Sequence, residues 1–216
     1  MLLAVLLAGS LFIAVGSFVA TSKTTIGKVS YRGWSDSLVI GNGQVEAVIV
    51  PAIGRVMQLR FVGEGDGPFW ENTELFGKPL DPVSTTWGNF GGDKTWPAPQ
   101  SNWPKVTPRS WPPPQAFDSM PVNAQIKENG QSAEIELVSP IDPHYGIRTR
   151  RLIRLDPKRP QMTITTTYEK AEGQSVNVGV WIITQLKDPE AVFIPLPKNP
   201  IFAEGYTKQS RELPAD

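Results

Sequence analysis

"QVEAVIVPAIGRVMQLRFV", Gln44 to Val62, decides how the chain is to be read. Two short apolar runs, Gln44 to Val50 and Arg55 to Val62, are β-branched or alternating and flank the turn-like "PAIG", as the arms of a hairpin would. The pattern continues in Ser132 to Ser139, Gly146 to Leu155, Gln161 to Lys170 and Ser175 to Thr184. Their joints, "NG", "DPKRP" and "AEG", are turn chemistry. Beyond Thr21, prolines and glycines interrupt almost every window that could hold three helical turns. Many strands with no helices between them for parallel crossovers imply an all-β fold, a mostly antiparallel sandwich.

The 216 residues are enough for one substantial core, and one domain from residue 21 to 216 is the expectation. Lysines and arginines total 21, as do aspartates and glutamates, so no net basic field gathers a polyanion, and nucleic acid is not an expected partner. With no cysteine there is no disulfide, thiolate metal site or cysteine nucleophile. Compartment is read from the start, where an apolar run from Leu2 to Ala20 ends in small residues. Residues 1–20 are expected to be a signal peptide or, uncleaved, an N-terminal membrane anchor, which puts the rest of the chain outside the cytoplasm, periplasmic or extracellular.

One region departs from the strand rhythm. Residues 82–114 hold eight prolines and four of the seven tryptophans, Trp87, Trp96, Trp103 and Trp111. Linkers are polar and lack tryptophan, so this reads as a long functional loop, stiffened by proline and pinned by indoles. An indole face stacks on the C–H face of a pyranose, and Asn89, Asp93, Lys94, Gln100 and Asn102 supply directional bonds to hydroxyls. The competing reading makes the tryptophans a satellite core and Asp93 with Lys94 an exposed ion pair worth ~0–1 kcal/mol.

The order "NGQVEAVIVPAIGRVMQLRF", "GNFGGDKTWPAPQSNW", "RTRRLIRLDPKRPQMTITTTYEK" resembles the galactose mutarotase-like superfamily, and within it an uncharacterised bacterial family with the same GGDK-x-WPAPQ core. The resemblance runs from about Trp34 to Gln185 and implies a β-supersandwich that binds sugars in a groove across one sheet. It places Lys94 near the position of a substrate-contacting arginine, whose planar fork lysine does not reproduce. It also implies a catalytic histidine on a mid-sheet strand, but "NVGVWIITQ" presents Trp181, Thr184 and Gln185 there. The glutamate that would complete an acid–base pair belongs beyond Asp216, so the chain reads as a C-terminally shortened domain.

The expected function is carbohydrate binding without aldose 1-epimerase activity. The expected substrate-binding residues are Trp87, Asn89, Asp93, Lys94, Trp96, Gln100, Trp103, Trp181 and Gln185. Two alternatives are an epimerase-like enzyme with unfamiliar acid–base residues and a structural cell-envelope domain. His144, the only histidine, could act as an acid or base oriented by Asp142, although a turn histidine is the plainer reading. Glu71, Glu74, Asp81 and Asp118 are loop carboxylates with no assignable pairing. No metal-ligand spacing and no phosphate-loop or dinucleotide motif is present, so no cofactor is expected. A membrane contact is expected only through an uncleaved N-terminus. In the basic run "RTRRLIRLDPKR", strand alternation puts Arg148, Arg150 and Arg154 on one side and Arg151 on the other, with Ile147, Ile153 and Leu155.

Overall fold

The computed structural model describes residues 23–81, 86–129 and 132–201; the N-terminal apolar run and Pro82 lie outside them. Within them, ten strands form two antiparallel sheets, confirming an all-β sandwich. The larger sheet places side by side β1 (Thr25–Tyr31), β2 (Trp34–Gly41), β3 (Val45–Val50), β4 (Arg55–Phe61), β5 (Asp93–Ala98) and β10 (Gly179–Thr184). The smaller contains β6 (Asn123–Asn129), β7 (Ser132–Val138), β8 (Ile147–Leu155) and β9 (Met162–Lys170). Two single-turn helices, α1 (Trp103–Val106) and α2 (Gln115–Asp118), lie between β5 and β6.

The Gln44–Val62 stretch forms the hairpin that its pattern predicts. Strands β3 and β4 pair antiparallel and close at Val50 and Arg55, through a 3-10 turn at Pro51–Ile53 and a left-handed Gly54. The inner faces of the two sheets bury Ile40, Ala47, Ile49 and Val56 against Ile135, Leu137, Ile153 and Leu155. Val48, Val50 and Met57 belong to a second cluster with Tyr31, Trp34 and Phe90, supported by Leu75 and Phe76 from the segment before β5. The larger sheet is thus apolar on both faces, which explains the near-continuous run "VEAVIV". One end of the sandwich is clipped by Asn42. Its Oδ1 accepts the amides of Gln44 and Val45, and its Nδ2 donates to the carbonyls of Asp156 and Arg159 in the β8–β9 turn.

The expected uninterrupted loop over residues 82–114 is corrected: it contains β5, an interior strand of the larger sheet. Proline and glycine hide it in the sequence, and the structure shows why this strand tolerates both. Pro97 lies past the single residue pair, Val56 with Asp93, that joins β5 to β4, so its missing N–H costs that edge nothing. Its carbonyl accepts the Trp103 indole N–H at 2.8 Å. Gly91 and Gly92 have φ of 88° and 67°, and a Cβ on either would meet the Trp70 or Val56 carbonyl oxygen at 2.2 or 2.5 Å. They are glycines because the backbone passes against backbone there. Strands β1, β2 and β6 were not read from the sequence, and β10 starts at Gly179 rather than Ser175.

Candidate functional site

Strand β5 places the candidate residues by simple alternation. Asp93 and Lys94 are both buried and point to opposite faces, so the exposed ion pair of the competing reading does not form. On the side of the smaller sheet, Asp93 forms a buried salt bridge with Arg151 through Oδ1, and Arg151 also donates to its carbonyl at 3.1 Å. The Thr184 hydroxyl donates to Asp93 Oδ2 at 2.5 Å. Thr95, on the same face, is 2.7 Å from the Tyr168 hydroxyl of β9. Arg151 thus sits inside with Ile147, Ile153 and Leu155, as the alternation of β8 predicts. Arg148 and Arg150 pair outside with Glu169, and Arg154 with Glu134.

On the other face, Lys94 is 1 % exposed. Its Nζ donates to Gln185 Oε1 at 2.7 Å and to Asn89 Oδ1 at 3.3 Å. It also lies 5.1 and 5.2 Å from the ring centroids of Trp87 and Trp96, within cation–π range. Among the described residues it has no ion pair. Burial, reinforced by the nearby Arg55 guanidinium and only partly opposed by Asp118 and Asp93, pulls its pKa down to about 7. The amine is therefore poised between neutral and charged at physiological pH.

Asp118, at the end of α2, organises the surrounding groups. Its Oδ1 accepts Arg55 at 2.9 Å and the Trp96 indole at 2.8 Å, and its Oδ2 accepts the Trp87 indole at 3.1 Å and Ser119 at 2.9 Å. Arg55 is fully buried, donates to the Gly91 carbonyl at 2.7 Å, and keeps one nitrogen, Nε, without a partner. Burial lowers the pKa of this guanidinium against the attraction of Asp118.

Four indoles pack edge to face around Trp96. Trp87, Trp103, Trp111 and Trp181 have ring centroids 5.5, 5.6, 5.9 and 5.4 Å from it. Trp96 and Trp103 are buried, whereas Trp111 and Trp181 are 42 % and 37 % exposed. The structure thus gathers Trp87, Asn89, Lys94, Trp96, Trp103, Trp181 and Gln185, and leaves Asp93 on the opposite face. Gln100 is exposed in a 3-10 turn at Gln100–Asn102.

His144 is exposed in a turn whose amides are held by Asp142, and it lines a different cleft, not the surroundings of Lys94. Of the loop carboxylates, Asp81 and Asp118 border one small cleft. Glu71 accepts the Tyr31 hydroxyl at 2.7 Å and lies near Arg32, and Asp118 is bound as described. Sequence reasoning did not assign Arg55, Asp118 or the exposed Trp111 to this region. The one available signal was charge within an apolar run, since Arg55 opens "RVMQLRFV". Among the described residues no group of three or more His, Cys, Asp or Glu is placed to hold a metal ion. The chain matches no protein-family model, no curated protein and no solved structure.

Proposed function

We propose that this is an exported carbohydrate-binding domain of the galactose mutarotase-like class, in which a sugar ring rests on Trp181 and Trp111, and that it does not catalyse aldose 1-epimerisation. The observation that carries the reading is a pair of half-exposed indoles, each packed edge to face on a fixed Trp96, with the polar groups of Lys94, Gln185 and Asn89 beside the same aromatic cluster. Indole faces supply area with little entropy to lose, and a few fixed polar groups supply orientation. Because Trp96 and Trp103 are held by each other and by Asp118 and Pro97, contact with ligand falls to the outer two indoles. Export rests on the apolar run from Leu2 to Ala20; among the described residues no helix is long and apolar enough to cross a membrane.

A glycan array followed by calorimetry tests the binding. Trp181→Ala and Trp111→Ala are expected to weaken the best glycan by about 1–3 kcal/mol each, with melting temperatures close to wild type. An array with no signal would remove the proposal. It would instead favour a structural domain, to which the mutual packing of Trp87, Trp96, Trp103 and Trp111 is equally suited. Polarimetry on fresh α-galactose should give the buffer rate, because the carboxylate on the Lys94 side, Asp118, is committed to Arg55 and two indole N–H groups. A rate that rises with protein concentration would overturn the non-epimerase part.

A further inference from the structure

His144 plays no part in the tryptophan site, yet it lines a cleft of about 240 Å³ between the end of the α1–α2 segment and the turn before β8. Arg109 lies on the same cleft. Both side chains are exposed, and neither makes a hydrogen bond or ion pair among the described residues. Pro112, Pro114, Met120 and Ile141 supply its apolar wall.

From this geometry we infer a second binding site, for a small organic carboxylate. Its anionic group sits between Arg109 and His144 and its body lies against the proline, methionine and isoleucine walls. Guanidinium and imidazole are the two side chains best suited to present N–H donors to a carboxylate, and here both are free to do so. Their backbones are already fixed. The Thr107 hydroxyl lies 2.7 Å from the Arg109 carbonyl, and Asp142 Oδ1 accepts the amides of His144 and Tyr145 at 2.9 and 2.7 Å. Tyr145 is in turn buried against Phe117. Fixed backbones limit the entropy lost on binding to that of the two side chains. The carboxylate of Asp142 also borders the cleft, but it is 2 % exposed and committed to its own turn. The volume is below the range of about 300–1,000 Å³ usual for drug-sized ligands, which limits the occupant to a single-ring acid. The inference stands apart from the tryptophan face and would survive that face binding nothing.

The chain has one histidine, so its imidazole proton signals identify this cleft without assignment. The experiment titrates the full chain with cyclohexanecarboxylate, and in parallel with the neutral cyclohexanecarboxamide, while following those signals by proton NMR. The carboxylate should give a saturable shift and the amide none. Arg109→Gln, an exposed substitution whose melting temperature should match wild type, should weaken the carboxylate by about tenfold or more. A response that stays linear, an equal response to the amide, or an Arg109→Gln variant that binds as wild type would each overturn the site.

Discussion

Asp93 and Lys94 are neighbours in the chain and live in opposite worlds. Asp93 faces the smaller sheet and has its own cation, Arg151. Lys94 faces the tryptophans and has only amide oxygens and indole faces, because the carboxylate on that side, Asp118, is taken by Arg55. One face of β5 is a closed ion pair that holds two sheets together. The other carries a cation without a counterion of its own. The contrast separates a group that serves the fold from one whose burial the fold tolerates at a cost.

The inner face should break first. Asp93→Ala leaves Arg151 buried without its partner, and urea unfolding should show a loss of about 3–5 kcal/mol; a loss below about 1 kcal/mol would mean the pair holds nothing. Trp96→Ala opens the centre of the aromatic cluster and should likewise cost about 3–5 kcal/mol, so its melting temperature falls where that of Trp181→Ala does not.

Lys94→Met sharpens the comparison in the opposite direction. The folded pKa of Lys94 is lowered to about 7 from the ordinary lysine value of 10.5, so between those values the unfolded chain binds more protons than the folded one. Stability should therefore rise with pH from about 7 towards 10.5, and the penalty is fully present below pH 7. The Met variant should lack this component of the rise and be at least as stable as wild type at neutral pH. Identical pH profiles for the two proteins would show that Lys94 is not desolvated. The smallest effect belongs to the outer face of β8, where Arg154→Ala removes an exposed pair with Glu134 and should change stability by less than about 1 kcal/mol.

The hairpin from Gln44 to Val62 and strands β7 to β9 were legible because their periodicity reports burial directly. The same alternation sorted Arg151 from Arg148, Arg150 and Arg154 before any coordinates were known. Strand β5 was not legible, since "DKTWPA" carries a proline and follows two glycines, and its place in the sheet depends on β10, far along the chain. For the candidate site, the sequence named the aromatic and polar residues but not which side of a strand each would take. It therefore joined Asp93 to Lys94, which the backbone separates. Nor could it tell Trp103, fully buried, from Trp111, half-exposed, because both sit in the same proline-rich context.

The pairing of β5 has a consequence for how the molecule is made. Only one residue pair joins it to β4, so nearly all of its ladder comes from β10. That strand leaves the ribosome about eighty residues later, which at about 5–20 residues per second is a delay of roughly 4–16 s. Throughout that interval Trp96 and its neighbouring indoles lack the strand that bears Trp181, and the nascent chain exposes its most tryptophan-rich segment beside an unpaired edge. The aromatic face is thus completed late in synthesis, and the interval gives chaperones time to contact it.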